Sequence, residues 1–254
     1  MAQPIGDLDI PLFSIVTVCR NAERSIAKAI ESVAAQEGQF GTVEHIVIDG
    51  KSTDGTMRIL ERYPHLRVVS EPDAGIYDAM NKGVAMARGS YVAFLNADDW
   101  YQPDALATVA VAISAVPDAR IIHGDIRRWV SGVPIDVVKP TLGRGFHGTL
   151  KMPVHHPATF AHRDVFTRVG TFDLAYRVFA DYDWARRVVR AGTVLHYCPA
   201  VLTNFAMGGV STTRVAAAEL YCVFRANGAS VFAAVLAVAY SCAVAFRSRL
   251  RMRM

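Results

Sequence analysis

A chain of 254 residues, 52% apolar and 20% charged, can bury one α/β domain and still carry an appendage. Arg247, Arg249, Arg251 and Arg253 account for the whole formal charge of +4 and leave residues 1–246 neutral, which argues against nucleic acid as a partner. Cys19, Cys198, Cys222 and Cys242 are scattered with no C-x-x-C or metal-type spacing, the pattern of a reduced, cytosolic chain, and Pro4, Asp7 and Asp9 stand where a signal peptide would be basic and then apolar.

Phe13 to Cys19 reads as a first strand. Asn21 is placed to cap a helix whose apolar positions Ile26, Ala29, Ile30, Val33 and Ala34 recur at helical spacing. Val43 to Ile48 is a second strand ending at Asp49-Gly50, and Ser52-Thr53-Asp54-Gly55 turns the chain into a helix running through Leu60. Leu66 to Ser70 makes a third strand, Gly75 to Ala87 a helix, and Tyr91 to Leu95 a fourth, buried strand. This alternation predicts a right-handed, mostly parallel sheet, with ligands at the carboxyl ends of its strands.

The turn after the first strand reads Cys19-Arg20-Asn21-Ala22-Glu23. It lacks the G-x-G-x-x-G of dinucleotide-binding dehydrogenases, and the chain has no Walker-type phosphate loop. What the strand ends do carry is acid: Asp49, Asp73 just past the third strand, and the adjacent pair Asp98-Asp99 in Asn96-Ala97-Asp98-Asp99. Neighbouring carboxylates repel unless a cation or a donor-rich ligand joins them, although Asp99 can also serve as a helix cap. A nucleotide supplies ring N–H and ribose hydroxyls for Asp49 and Asp73. A diphosphate-bound Mg²⁺ or Mn²⁺ suits Asp98 and Asp99, since such ions take one or two carboxylates and no His/Cys cluster is present for zinc.

Phe13–Asn21, Ile48-Asp-Gly-Lys-Ser-Thr-Asp-Gly-Thr56, Asp73-Ala-Gly-Ile-Tyr-Asp-Ala-Met-Asn-Lys-Gly83 and Leu95-Asn-Ala-Asp-Asp99 together resemble a family 2 glycosyltransferase, most closely bacterial members that build exopolysaccharides and cell-envelope glycolipids. The resemblance covers about residues 12–212 and implies a GT-A fold, a nucleotide-sugar donor, a divalent metal and inversion at the anomeric carbon. It implies donor contacts at Thr17, Asp49, Asp73, Asn96 and Asp98, with Asp98 and Asp99 on the metal. Asn96 stands where the metal motif often has its first Asp. Gly75 and Gly83 are expected to let a helix pack close to the sheet, and Tyr77, Asp78, Asn81 and Lys82 are either structural or ligand-facing.

An inverting transfer needs a general base near the acceptor hydroxyl. Phe179-Ala-Asp181-Tyr-Asp183-Trp184 opens a helix ending at Gly192. The family's acidic pair implies Asp181 as base, with Ala180 where Glu is common; as a structural reading, Asp181 caps the helix and Asp183 favours its dipole. Asp183 and His156, the latter in Pro153-Val-His-His-Pro157, are implied acceptor or diphosphate contacts. Met207-Gly-Gly-Val-Ser211 with Arg214 resembles a loop that closes over the donor, Arg214 neutralising the diphosphate.

No charged residue occurs from Ala226 to Phe246, enough helix for about 30 Å. A spanning helix would put the catalytic domain outside the cytosol by the positive-inside rule, so an inner-leaflet helix with its arginines on anionic lipid is preferred, a buried core helix with a disordered tail being the alternative. The expected protein is a GT-A domain over 1–212, nucleotide-binding part about 12–100 and acceptor part 101–212, followed by an apolar helix and basic tail over 213–254. It would sit on the cytoplasmic face of the plasma membrane, moving sugar to a glycan or lipid-linked acceptor. A nucleotidyltransferase and a non-catalytic scaffold of the same fold are the alternatives.

Overall fold

The computed structural model describes residues 11–36, 43–141, 152–208 and 214–239. Gly209, Val210 and Ser211 of the expected closing loop, the side chain of Arg214 and the four C-terminal arginines lie outside the described residues.

Strand β1 (Phe13–Cys19) is buried along its whole length, because it lies between two parallel neighbours, β2 (Val43–Asp49) and β4 (Tyr91–Phe94). Its alternate residues feed opposite layers. Phe13 and Ile15 pack with Ala29 and Val33 of α1 (Ile26–Ala34), while Val16 and Val18 meet Ala79 and Met80 of α3 (Ile76–Met86). Each such aliphatic side chain contributes about 1.5–3 kcal/mol of burial. Helix α2 (Thr56–Leu60) follows β2 and leads to β3 (Arg67–Ser70), parallel to β2.

Among the described residues nine strands form one sheet in the order β3-β2-β1-β4-β8-β6-β9-β5, with β7 paired to β6. The short β5 (Trp100–Tyr101) and α4 (Ala105–Ala115) follow β4, then β6 (Ile121–Val130) and β7 (Val133–Val138). Ser131 and Gly132, both at positive φ, make the two-residue turn between β6 and β7. Strand β8 (Thr159–His162) enters between β4 and β6, antiparallel to both, and β9 (Leu195–Ala206) runs parallel to β6. The sheet is therefore mixed: parallel over β3-β2-β1-β4, then antiparallel at β4-β8, β8-β6 and β9-β5 with β6 and β9 parallel. Within the β6 and β9 layer, His123 is 1% exposed, packs on the Tyr197 ring at 5.6 Å, and has no partner on either ring nitrogen.

Helices α5 (Arg163–Val169) and α6 (Ala180–Arg190) cover the α3 side of β8. Helix α7 (Arg214–Ala226) packs on α6, with Phe224 against Tyr182 at 5.3 Å and Asn227 Nδ2 donating to Asp183 Oδ1 at 3.1 Å. The apolar C-terminal run is not one helix. It breaks at Asn227-Gly228, Gly228 having φ 84°, and resumes over 231–239. No helix of the described residues is long and apolar enough to cross a membrane.

Two expected local roles change. Asn21 does not cap α1, whose N-cap is Ser25; at φ 53° it accepts the Thr53 N–H at 2.8 Å and ties the β1 and β2 turns together. Gly83, not Gly75, is the close-packing glycine, since a Cβ there would overlap the Val16 side chain. Gly75 is required by its φ of 131° at the start of α3.

Candidate active site

The register that pairs Cys19 with Asp49 and Asp49 with Ser70 brings three strand ends level. Asp49 is fully buried there. Its carboxylate accepts from the Ser52 N–H and hydroxyl, from Ser70 Oγ at 2.6 Å, and from Cys19 Sγ at 3.7 Å. Burial, and then the Asp49 charge, push the Cys19 thiol up to about 12. With both oxygens accepting protein hydrogen bonds, Asp49 fastens the turn that follows β2. Asp73 is half-buried beside it; one oxygen accepts the Gly75 N–H at 2.9 Å, and the other lies where any Cβ on Gly50 would be. Thr17 sits inside the sheet with its hydroxyl 2.9 Å from His45 Nε2 and does not join these acids.

Beyond β4 the chain turns sharply, and its two carboxylates separate. Asp98 is exposed; the surrounding protein raises its pKa, with the nearby His156 acting in the other direction. Asp99 is 1% exposed, and Oδ1 accepts the Ala206 N–H at 2.8 Å at the end of β9. Burial and the Asp98 charge hold its carboxyl well above the ordinary range. Asp99 Oδ2 and Asn96 Oδ1 are buried oxygens without a hydrogen-bond partner. Among the described residues no three or more His, Cys, Asp or Glu side chains are grouped so as to hold a metal ion by themselves. The donor set is one accessible carboxylate backed by two unsatisfied oxygens, hard ligands that fit Mg²⁺ or Mn²⁺ completed by diphosphate and water.

The insertion of β8 beside β4 places His156, in the 3-10 turn His156–Ala158, next to this motif. His156 Nε2 is 3.4 Å from Asn96 Nδ2, and Nδ1 is 3.1 Å from Asp181 Oδ2. Asp181, second residue of α6, accepts the Tyr182 N–H at 2.8 Å and the Tyr77 hydroxyl at 3.0 Å on its other oxygen. Asn96, His156, Asp181 and Tyr77 thus form one chain from the β4 terminus to α3 across α6. Below it lies a small apolar pocket lined by Phe94, Val154, Thr159, Phe172 and Trp184.

Asp183 does not join them. It is 7% exposed, and its oxygens accept from Arg187 Nε at 2.8 Å and from Asn227. Its side chain faces Arg187 and the residue after the C-terminal helix. Tyr77, ambiguous in the sequence, reaches Asp181 through its hydroxyl. Glu219 was not anticipated, although it is the one acid after residue 212; its carboxylate accepts the N–H groups of Arg177, Val178 and Phe179 at 2.6–2.8 Å.

Residues 14–145 match the profile of Glycosyl transferase family 2. A PGL/p-HBAD biosynthesis glycosyltransferase of Mycobacterium bovis is 32% identical over 219 residues, 81% of either chain. A Mycobacterium tuberculosis glycosyltransferase is 30% identical over 80% of this chain and 78% of its own. Among solved structures, S. aureus TarS 1-349 in complex with UDP-GlcNAc superposes with a TM-score of 0.71 at 17% identity, over 90% of this chain and 70% of that one. The mannosyltransferase PcManGT of Pyrobaculum calidifontis, in complex with GDP-Man and Mn²⁺, gives 0.61 at 18%, over 93% and 77%. At those identities the two structures show the fold alone, a GT-A-like one.

Proposed function

The chain belongs to glycosyl transferase family 2, a nucleotide-sugar-dependent glycosyltransferase by that membership, and from it we propose inverting transfer of a sugar from a nucleoside-diphosphate donor to the hydroxyl of a lipid-linked envelope glycan. Membership in that family turns the reading away from a nucleotidyltransferase and from a scaffold. The glycolipid acceptor is supported by the name of the mycobacterial relative.

The nucleoside would lie over the β1–β3 ends, with Asp73 as the accessible acid for ribose or base and Asp49 holding the turn beneath. Asp98, with Asp99 behind it, would hold a divalent cation, which supplies positive charge for the leaving diphosphate. Asp181 would accept the proton of the acceptor hydroxyl as the bond to the anomeric carbon forms from the face opposite the diphosphate. His156 and Tyr77 orient that carboxylate, each on one oxygen. The observation that carries this reading is the continuous contact from Asn96 through His156 to Asp181. Arg214 is retained as a diphosphate partner from the sequence pattern.

Helix 231–239 leaves Val231, Phe232, Val235 and Leu236 exposed on one face, and the arginines at 247–253 follow it in the sequence. That combination suits a helix lying on an anionic inner leaflet, where a lipid-linked acceptor is found.

The test is calorimetry with UDP-, GDP- and dTDP-sugars in Mn²⁺ or Mg²⁺, beside an Asp98→Ala/Asp99→Ala double variant. Metal-dependent binding of one donor, lost in the variant, is expected. A folded, metal-loaded protein that binds no donor would overturn the reading.

A further inference from the structure

Helix α6 carries Asp181 in its first turn, yet its N-cap Phe179 makes no side-chain capping bond. The segment that leads into it is held from elsewhere. Glu219, a full turn inside α7, accepts the Arg177 N–H at 2.8 Å, the Val178 N–H at 2.6 Å and the Phe179 N–H at 2.7 Å. Three consecutive amides on one carboxylate fix three peptide planes, and bonds to an ionised acceptor are roughly twice as strong as neutral ones. The Val178–Phe179 peptide is gripped on both sides, for the Val178 carbonyl accepts the Tyr77 hydroxyl proton at 2.7 Å, and that one proton is shared with Asp181 Oδ1 at 3.0 Å. Tyr182 on Phe224 and Asp183 with Asn227 clamp the next turn of α6 to the same C-terminal helix.

We propose that Glu219 is a positioning residue for the transfer step, setting Asp181 through the Arg177–Phe179 peptides and Tyr77, so that α7 is part of the catalytic unit rather than an appendage. The proposal rests on Asp181 being the base. Glu219 lies outside the 14–145 segment that matches the family profile.

The experiment measures kcat, donor KM and melting temperature for Glu219→Gln, Glu219→Ala, Tyr77→Phe, the Glu219→Gln/Tyr77→Phe pair and Asp181→Asn in the full chain. Displacement of a reacting group by about 1 Å can cost on the order of 100-fold. The expected result is a kcat loss of about 10- to 100-fold for Glu219→Ala and less for Glu219→Gln. Donor KM should stay within about twofold, because the donor site is on the other half of the sheet. The paired variant should be little worse than the poorer single one, since both act through the Val178–Phe179 peptide. Multiplicative losses in the pair, or kcat unchanged in folded Glu219→Gln, overturn the proposal. If Glu219→Ala does not fold, the Gln and Phe variants still decide it. Full activity in Asp181→Asn sinks the base assignment itself, a failure distinct from the loss of Glu219's role.

Discussion

His156 Nδ1 lies 3.1 Å from Asp181 Oδ2. With Nδ1–H donating to the carboxylate, Nε2 is left as the acceptor for Asn96 Nδ2 at 3.4 Å, a tautomer assigned from the hydrogen-bond network. One imidazole therefore joins the motif at the end of β4 to the carboxylate in the first turn of α6.

Replacing Asp181 by Asn keeps the shape and removes the proton acceptor. Turnover should fall by about 10²–10⁴-fold with donor affinity retained in calorimetry. Equal loss of turnover and donor binding would mark Asp181 as a helix-start residue only. His156→Ala should fall less, about tenfold, because it removes orientation rather than the base.

Protonation of His123 should set part of the acid sensitivity. Burial, followed by His155 and His196, pushes its pKa down to about 4, so the unfolded chain binds the proton that the native chain rejects. Its contribution is fully present above the ordinary histidine pKa and is lost as pH falls from there toward 4. At pH 5 the loss is on the order of 2 kcal/mol. His123→Gln should shrink the gap in urea midpoint between pH 7.5 and pH 5; an unchanged gap would show that other groups carry the effect.

Gly83→Ala should destabilise the domain by about 1–3 kcal/mol, the usual cost of overpacking, because its methyl would overlap the Val16 side chain. Thermal melting is the measurement, and a variant as stable as wild type would mean that β1 and α3 can part without penalty.

Phe232→Ser/Leu236→Ser should abolish sedimentation with vesicles containing phosphatidylglycerol while leaving transfer to a soluble acceptor analogue unchanged. Phe232 is 73% exposed and Leu236 41%, so neither substitution opens the core. Undiminished vesicle binding would assign the membrane affinity to some other part of the chain.

How legible all this was in the sequence depended on distance along the chain. Strands β1–β4 and their acids announce themselves because apolar runs and turn residues are local signals. What was not legible were contacts across the chain. Asn21 looked like a cap, but its side chain serves Thr53 in another turn. The expectation at Asp183 was drawn without its partners, for α6 turns it toward Arg187 and Asn227. The carboxylates Asp98 and Asp99 read as a matched pair, and the turn after β4 exposes one and buries the other. Nothing local says that β8 slips between β4 and β6, which is what brings His156 to Asn96. Glu219 carried only a faint sign, a solitary acid in a basic segment.

The late arrival of β8 has a consequence for biogenesis. Strand β6 is made before β8, yet β8 must lie between it and β4. During synthesis the β3-β2-β1-β4 half can close on its helices while β4 keeps a bare edge until residues 159–162 emerge. Asp181 then waits for Glu219 and Asn227 before its helix is secured. A nascent chain stopped near residue 150 would hold the donor-side acids but expose an unpaired apolar strand, an invitation to edge-to-edge aggregation. Ribosome-bound intermediates of that length are where chaperone dependence should be greatest.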